Sequence, residues 1–325
     1  MDSESQAVIR FVSEQLQQHR DCWLVTVIRT WGSAPRLPGA CFAWSEAGTC
    51  GSLSGGCVEE ELIEKLATQQ FASQQRPFIH QYGVTREDAE RQGLPCGGRL
   101  ELLLEWLPAS SAQRDHFVQL NQALQHRQGL QRTVYLDVEF QSGQTATLQP
   151  SKPIPLSVNR KAVSYYLGPR YRLLIIGANQ VAQYLVQFTT TLDFDIWVCD
   201  PREDAFVNWP TFAVQHFNTM PDDIIRDQAN DPLTAIVAVA HDPRIDDMAL
   251  MEALKSQAFY IGAMGSKKTT RKRQERLLQL GISSSQLKKL HAPIGLAIGS
   301  KTPAEIALAI AADLVNTIRA PGHQP

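Results

Sequence analysis

Neither sign of charge dominates this sequence: 31 Lys and Arg stand against 33 Asp and Glu over 325 residues, for a net charge of -2. There is no global field to hold a nucleic-acid backbone or an anionic membrane, so neither is expected as a partner, although local basic clusters remain. Long apolar runs are also missing. The longest, such as LTAIVAVA ending at Ala240, have strand length and fall far short of the roughly 20 residues that span a bilayer. The opening MDSESQAVIRFVSEQLQQHR carries acid where a secretory signal needs base, and Val8, Ile9, Val12 and Leu16 recur at helical spacing, so an amphipathic helix and a cytoplasmic protein are expected. None of the six cysteines (Cys22, Cys41, Cys50, Cys57, Cys96, Cys199) forms a CxxC, and histidine lacks metal-ligand spacing. A zinc site, a disulfide framework and any permanent metal are therefore not expected.

What is present is ordinary globular composition, 43% hydrophobic and 20% charged, at a length that suggests two domains. Residues 1–140 read as a mixed α+β domain: the first helix, a β-branched strand over Cys22 to Thr30 ending in WGSAPRLPGA, short strands in CFAWSE and TCGSLS, and a helix with Val58, Leu62, Ile63 and Leu66 on one face. RLELLLEWL is a further strand, residues 110–128 are helical, and TVYLDVEF ending at Phe140 is a strand. The Pro-containing stretch 141–170 reads as a connector. Over 171–325 strands alternate with helices (RLLIIGA, DIWVCD, TAIVAVA, AFYIGAM), the rhythm of a parallel α/β sheet of Rossmann type, and TPAE at Thr302 to Glu305 predicts a capping box on the last helix.

Several constellations can carry chemistry. In SLSGGCVEE, Ser54, Gly55 and Gly56 lead into a helix whose first turn holds Cys57, where backbone N–H groups attract anions and favour a thiolate. The bland alternative is a buried structural cysteine after a Gly-Gly turn, and Glu59, Glu60 and Glu61 oppose the thiolate. LPCGG sets Cys96 before Gly97 and Gly98 in near mirror image, a second thiol for a soft-ligand or sulfur-handling site. Ser33 and Arg36 in GSAPR suit phosphate or carboxylate recognition, against the alternative of a surface arginine in a turn. RLLIIGANQVAQYL followed by VCDPR resembles a dinucleotide fingerprint through Gly177, Ala182, Asp200 and Arg202, with Asn179 where the second glycine should admit a pyrophosphate. His241 and Asp242, and Gly262, Gly265 and Ser266 ahead of the basic run Lys267 to Arg273, fall at later strand ends where open α/β sheets bind ligands.

These motifs, in this order, resemble the xanthine dehydrogenase accessory family, XdhC/CoxI, from TWGSAPRLPGA, GSLSGGCVEE and CGG through LLIIGANQVA, VCDPR, AHDPRIDD and YIGAMGSKK to PIGLAIGSKTPAEIA. The resemblance implies an XdhC-type domain followed by a Rossmann-like domain. It also implies a chaperone that binds the molybdenum cofactor, protects it, assists its sulfuration and delivers it to a xanthine dehydrogenase-like molybdenum hydroxylase. A cysteine desulfurase and a second copy of the chain are further candidate partners. Carried across, Ser33, Arg36, Ser54, Gly55, Gly56, Cys57, Cys96, Gly97 and Gly98 become cofactor-site candidates. Two departures stand out: the family's GAGHVA is GANQVA here, which bears on nucleotide binding, and its GLDIGA is GLAIGS, with Ala297 replacing an acid. The competing readings are an NAD(P)-dependent oxidoreductase working through the C-terminal domain with His241 as acid or base, and a thiol enzyme working through Cys57.

Overall fold

The computed structural model describes residues 1–32, 36–55, 57–82, 99–142 and 144–320, and the chain divides into two compact units, Met1–Pro169 and Arg170–Gln324. In the first unit a helix α1 (Ser3–Gln17), capped by Asp2, precedes strands β1 (Cys22–Trp31), β2 (Cys41–Ser45) and β3 (Gly48–Gly51). Helix α2 (Cys57–Ala67), strands β4 (Phe78–Tyr82) and β5 (Arg99–Leu107) and helix α3 (Ser111–Gln125) follow. The five strands form one antiparallel sheet in the order β3-β2-β1-β5-β4. Its centre, β1, is buried over its first seven residues because both faces are covered. Cys22, Leu24 and Ile28 meet α1 and α3 on one side, while Trp23, Val25 and Val27 meet Val58 and Leu62 of α2 on the other.

Residues 141–170, expected as a connector, are not one. Strands β6 (Leu130–Tyr135), β7 (Ala146–Pro150), β8 (Ser157–Val158) and β9 (Ala162–Leu167) form a second antiparallel sheet, β7-β6-β9-β8, whose Leu130, Val134, Val163 and Leu167 join the core built on α1. The strand expected to run to Phe140 stops at Tyr135, and Phe140–Ser142 is a turn of 3-10 helix. The boundary between units therefore lies at Pro169 and Arg170.

The second unit has the expected alternation: β10 (Arg172–Ile176), α4 (Gln180–Thr191), β11 (Asp195–Cys199), β12 (Gln215–Phe217), α5 (Pro221–Gln228), β13 (Thr234–Ala238), α6 (Pro243–Ala253), β14 (Tyr260–Ala263), α7 (Lys267–Gln279), a short α8 (Ser284–Leu287), β15 (Leu290–His291) and α9 (Pro303–Arg319). All six strands are parallel, in the order β12-β11-β10-β13-β14-β15. Leu173 and Ile175 pack under α4 and α9, and Leu174 and Ile176 pack under α5 and α6, so one apolar run serves two cores.

The turn after β10 depends on one glycine. Gly177 has φ of 103°, and a Cβ there would lie 2.4 Å from the Ala240 Cα. Gly177→Ala combines a left-handed penalty with a backbone clash, and is expected to cost roughly 2–5 kcal/mol in urea denaturation followed on the second unit. A loss below about 1 kcal/mol would mean that the turn relaxes freely.

Candidate functional site

In the first unit the site is organised by a carboxylate. The loop between β3 and α2 folds back on Glu59, in the first turn of α2. Its Oε1 accepts from the Leu53 N–H (2.6 Å), the Ser54 N–H (2.7 Å), the Ser52 hydroxyl (2.8 Å) and the Gly55 N–H (3.1 Å). The Ser54 hydroxyl donates to Oε2 and accepts from the Val58 N–H at 3.4 Å. Burial alone would raise the pKa of Glu59, but the donors from Ser54, Ser52 and Leu53 outweigh it and hold the carboxyl well below the usual range. Sequence alone makes Glu59 a helix-start acid opposed to a thiolate. In the fold it instead fixes the loop that enters α2 at Cys57.

Of the expected cofactor contacts, Ser54 and Gly55 belong to this nest, and Cys57 is the first residue of α2. Arg36 lies in the same unit in a 2.7 Å ion pair with Glu4 of α1, each side chain about a third exposed. Ser33, Gly56, Cys96, Gly97 and Gly98 lie outside the described residues. The four other described thiols are held as thiols: burial pushes Cys22, Cys41 and Cys199 up to about 12, and it raises Cys50 as well. Among the described residues no group of three or more His, Cys, Asp or Glu is placed to hold a metal ion, and no helix is long and apolar enough to cross a membrane.

In the second unit the polar groups of the fingerprint residues are engaged by the protein itself. Asn179 caps α4, its Oδ1 accepting from the Ala182 N–H at 3.1 Å while Nδ2 donates to the Val239 carbonyl at 2.6 Å. The Gly177 N–H donates to the Cys199 carbonyl, and Ala182 is buried. Asp200, fully buried, accepts from the Arg202 N–H and Nε on Oδ1 and from the Ala178 N–H and Arg202 Nη2 on Oδ2. Burial opposes its ionisation, yet these bonds keep its pKa low.

A cleft of about 520 Å³ opens instead at the carboxyl ends of β13 and β14, lined by His241, Gly265 and Ser266 of the predicted set. His241 stands at its edge with φ of 63°, and Ser266 caps α7 through the Thr269 N–H. Asp242 is the cap of α6, paired with Arg244, and Gly262 is a packing glycine whose Cβ would strike Ile294, so neither lines the cleft. Two lining residues are not marked by the sequence pattern. Asp246 accepts from the Ala240 N–H and from Arg273, and Arg273, the last residue of the basic run, neither faces solvent nor stands free for an anion but is 97% buried against Asp246, Asp247 and the Met264 carbonyl.

Comparison with known proteins places these units. The XdhC and CoxI family matches residues 15–83, and the XdhC Rossmann domain matches residues 173–314. The molybdenum cofactor insertion chaperone PaoD of Escherichia coli is 25% identical over 97% of this chain and 89% of its own length. A Bacillus subtilis protein described as a probable subunit of xanthine dehydrogenase is 23% identical over 93% of this chain and 94% of its own. A solved structure described as a xanthine dehydrogenase from Bacillus halodurans shares the fold, with a TM-score of 0.70, 24% identity and 98% coverage of both chains. With one family match falling on each unit and the two together covering more than half of the sequence, the chain belongs to the XdhC and CoxI family.

Proposed function

We propose that this chain is a maturation factor that binds the molybdenum cofactor, supports its sulfuration and delivers it to a xanthine dehydrogenase-type hydroxylase. The observation that carries the reading is the Glu59-held loop, which sets Cys57 at the start of α2 in the unit that also holds Arg36. A chaperone must release its cargo, and the contacts in place are compatible with exchange. The Arg36–Glu4 pair is partly exposed, a kind of contact worth only about 0–1 kcal/mol, so the guanidinium can turn to a phosphate at little cost. The name of the Escherichia coli relative, similar over nearly the whole chain, points the same way. A cysteine desulfurase as sulfur donor, Cys57 and Cys96 as the soft contacts, and association with a second copy of the chain are parts of the same proposal.

The test is retention. Purified protein is mixed with isolated cofactor, freed of excess by gel filtration, and assayed for bound molybdenum and for activation of a cofactor-free hydroxylase. Cys57→Ala is expected to lose at least tenfold in retained cofactor with its melting temperature unchanged. Full retention by Cys57→Ala and Cys96→Ala would remove the thiols from the site, and no retention by wild type would remove the reading. The nicotinamide alternative draws less support, because all four acceptor positions of the Asp200 carboxylate are taken by Ala178 and Arg202, leaving none for a ribose hydroxyl.

A further inference from the structure

Two of the buried carboxylates of the second unit, Asp200 after β11 and Asp246 on α6, differ in how well they are satisfied. Asp200 accepts four hydrogen bonds. Asp246 accepts one on each oxygen, 3.1 Å from the Ala240 N–H and 3.2 Å from Arg273 Nη2, although its side chain is only 2% exposed. A carboxylate has about four acceptor positions, so each Asp246 oxygen keeps one more. Asp246 also lines the 520 Å³ cleft, whereas Asp200 does not. Burial accordingly pushes Asp246 up to about 6 against the lowering effects of Arg273 and the Ala240 N–H, while Asp200 stays low.

We propose that the cleft at the carboxyl ends of β13 and β14 binds a flat heterocycle that presents a cyclic amidine edge, a ring N–H beside an exocyclic amino group, to Asp246. Such an edge delivers two parallel N–H donors to the two carboxylate oxygens, the same two-point geometry by which an arginine fork meets a carboxylate. A cationic ligand is disfavoured, because the Arg273 guanidinium already stands 3.2 Å from the same carboxylate and would repel it. The remaining walls suit a ring: Met264, Pro293, Ile294 and Ile306 are apolar, and the volume lies within the range of small-molecule sites, about 300–1,000 Å³. Two sources share this chemistry, a pterin and a guanine. For the pterin the inference rests on the maturation reading above; for the guanine it does not.

The full chain is titrated with pterin and with guanosine, and in parallel with lumazine and inosine, which lack the amino group. Saturable binding of an amino compound at least tenfold tighter than its deamino partner is expected, with the tighter of the two amino compounds identifying the source. Asp246→Asn should lose tenfold or more. Because that change disturbs Arg273, Ser300→Trp, which fills the cleft from a lining position and leaves the ion pair intact, should give the same loss at an unchanged melting temperature. No saturable binding, equal affinities for amino and deamino compounds, or full binding by Ser300→Trp would overturn the proposal. Cofactor retention without heterocycle binding would sink this inference and leave the maturation reading standing, whereas guanosine binding without cofactor retention would sink the maturation reading and leave the guanine form of this inference standing.

Discussion

Arg132→Met should remove roughly 3–5 kcal/mol from the stability of the first unit, because it strands a buried carboxylate. Arg132 on β6 is fully buried and grips Glu105 of β5 with both arms, Nη1 to Oε1 at 2.7 Å and Nη2 to Oε2 at 2.8 Å. Nη1 also donates to the Tyr165 hydroxyl on β9 at 2.6 Å, and Nε donates to His116 Nε2 on α3 at 3.1 Å. One guanidinium thus joins both sheets and a helix. Removing it leaves Glu105 with no cation, whereas Arg132→Met with Glu105→Leu removes both charges and should recover most of the loss. Urea denaturation of the two variants checks this, and a loss under about 1 kcal/mol for the single variant would contradict it. The same network sets an acid limit. His116 accepts from Arg132 and is therefore neutral, and burial together with the Arg132 charge pushes its pKa down to about 3. The unfolded chain takes up that proton near pH 6.5 and the folded chain does not, so stability falls progressively between about pH 6.5 and pH 3.

The parallel sheet was legible because its signals are local. RLLII, DIWVC and TAIVA are short β-branched runs between helices. The TPAE box predicted from sequence is present, with the Thr302 hydroxyl accepting from the Glu305 N–H and the Glu305 carboxylate accepting from the Thr302 N–H. Of the second sheet of the first unit only β6 was legible, as the start of TVYLDVEF. The sheet's central pairing joins Leu130 to Leu167 across a long insertion, β7 and β8 are five and two residues long, and Pro150, Pro153 and Pro155 read as connector punctuation. The sites divide in the same way. Ser54, Gly55 and Ser266 could be singled out as candidates because they sit where a helix begins, a position that sequence marks. Asp246 and Arg273 are 27 residues apart on different helices and meet only through the packing of α6 and α7, so nothing in the basic run distinguished the one buried arginine from its exposed neighbours.

Glu59 is the second residue with a large expected effect, and its role separates two ideas about the loop. If the nest merely needs a side chain to fill it, Glu59→Gln should be mild. The acceptor geometry argues otherwise, since Oε1 takes four donors at once and Oε2 takes the Ser54 hydroxyl. An amide can offer one oxygen but must turn an NH2 group toward a donor, and charge-assisted bonds are about twice as strong as neutral ones. Glu59→Gln should therefore loosen the loop by roughly 2–4 kcal/mol, read by hydrogen exchange at Leu53 and Ser54, and should lower cofactor retention at least tenfold without a comparable change in global melting. In wild type the carboxyl is held below its ordinary value of about 4.3, so its contribution is complete above that pH and is lost only as the pH falls toward the depressed folded value. Retention should accordingly be flat from about pH 5 to pH 8 as far as Glu59 is concerned. Glu59→Ala leaves an anion nest without its anion, and added acetate should restore part of the retained cofactor by occupying it. Wild-type retention by Glu59→Ala, unaffected by acetate, would show that the loop holds its shape without the carboxylate and that Cys57 is positioned by α2 alone.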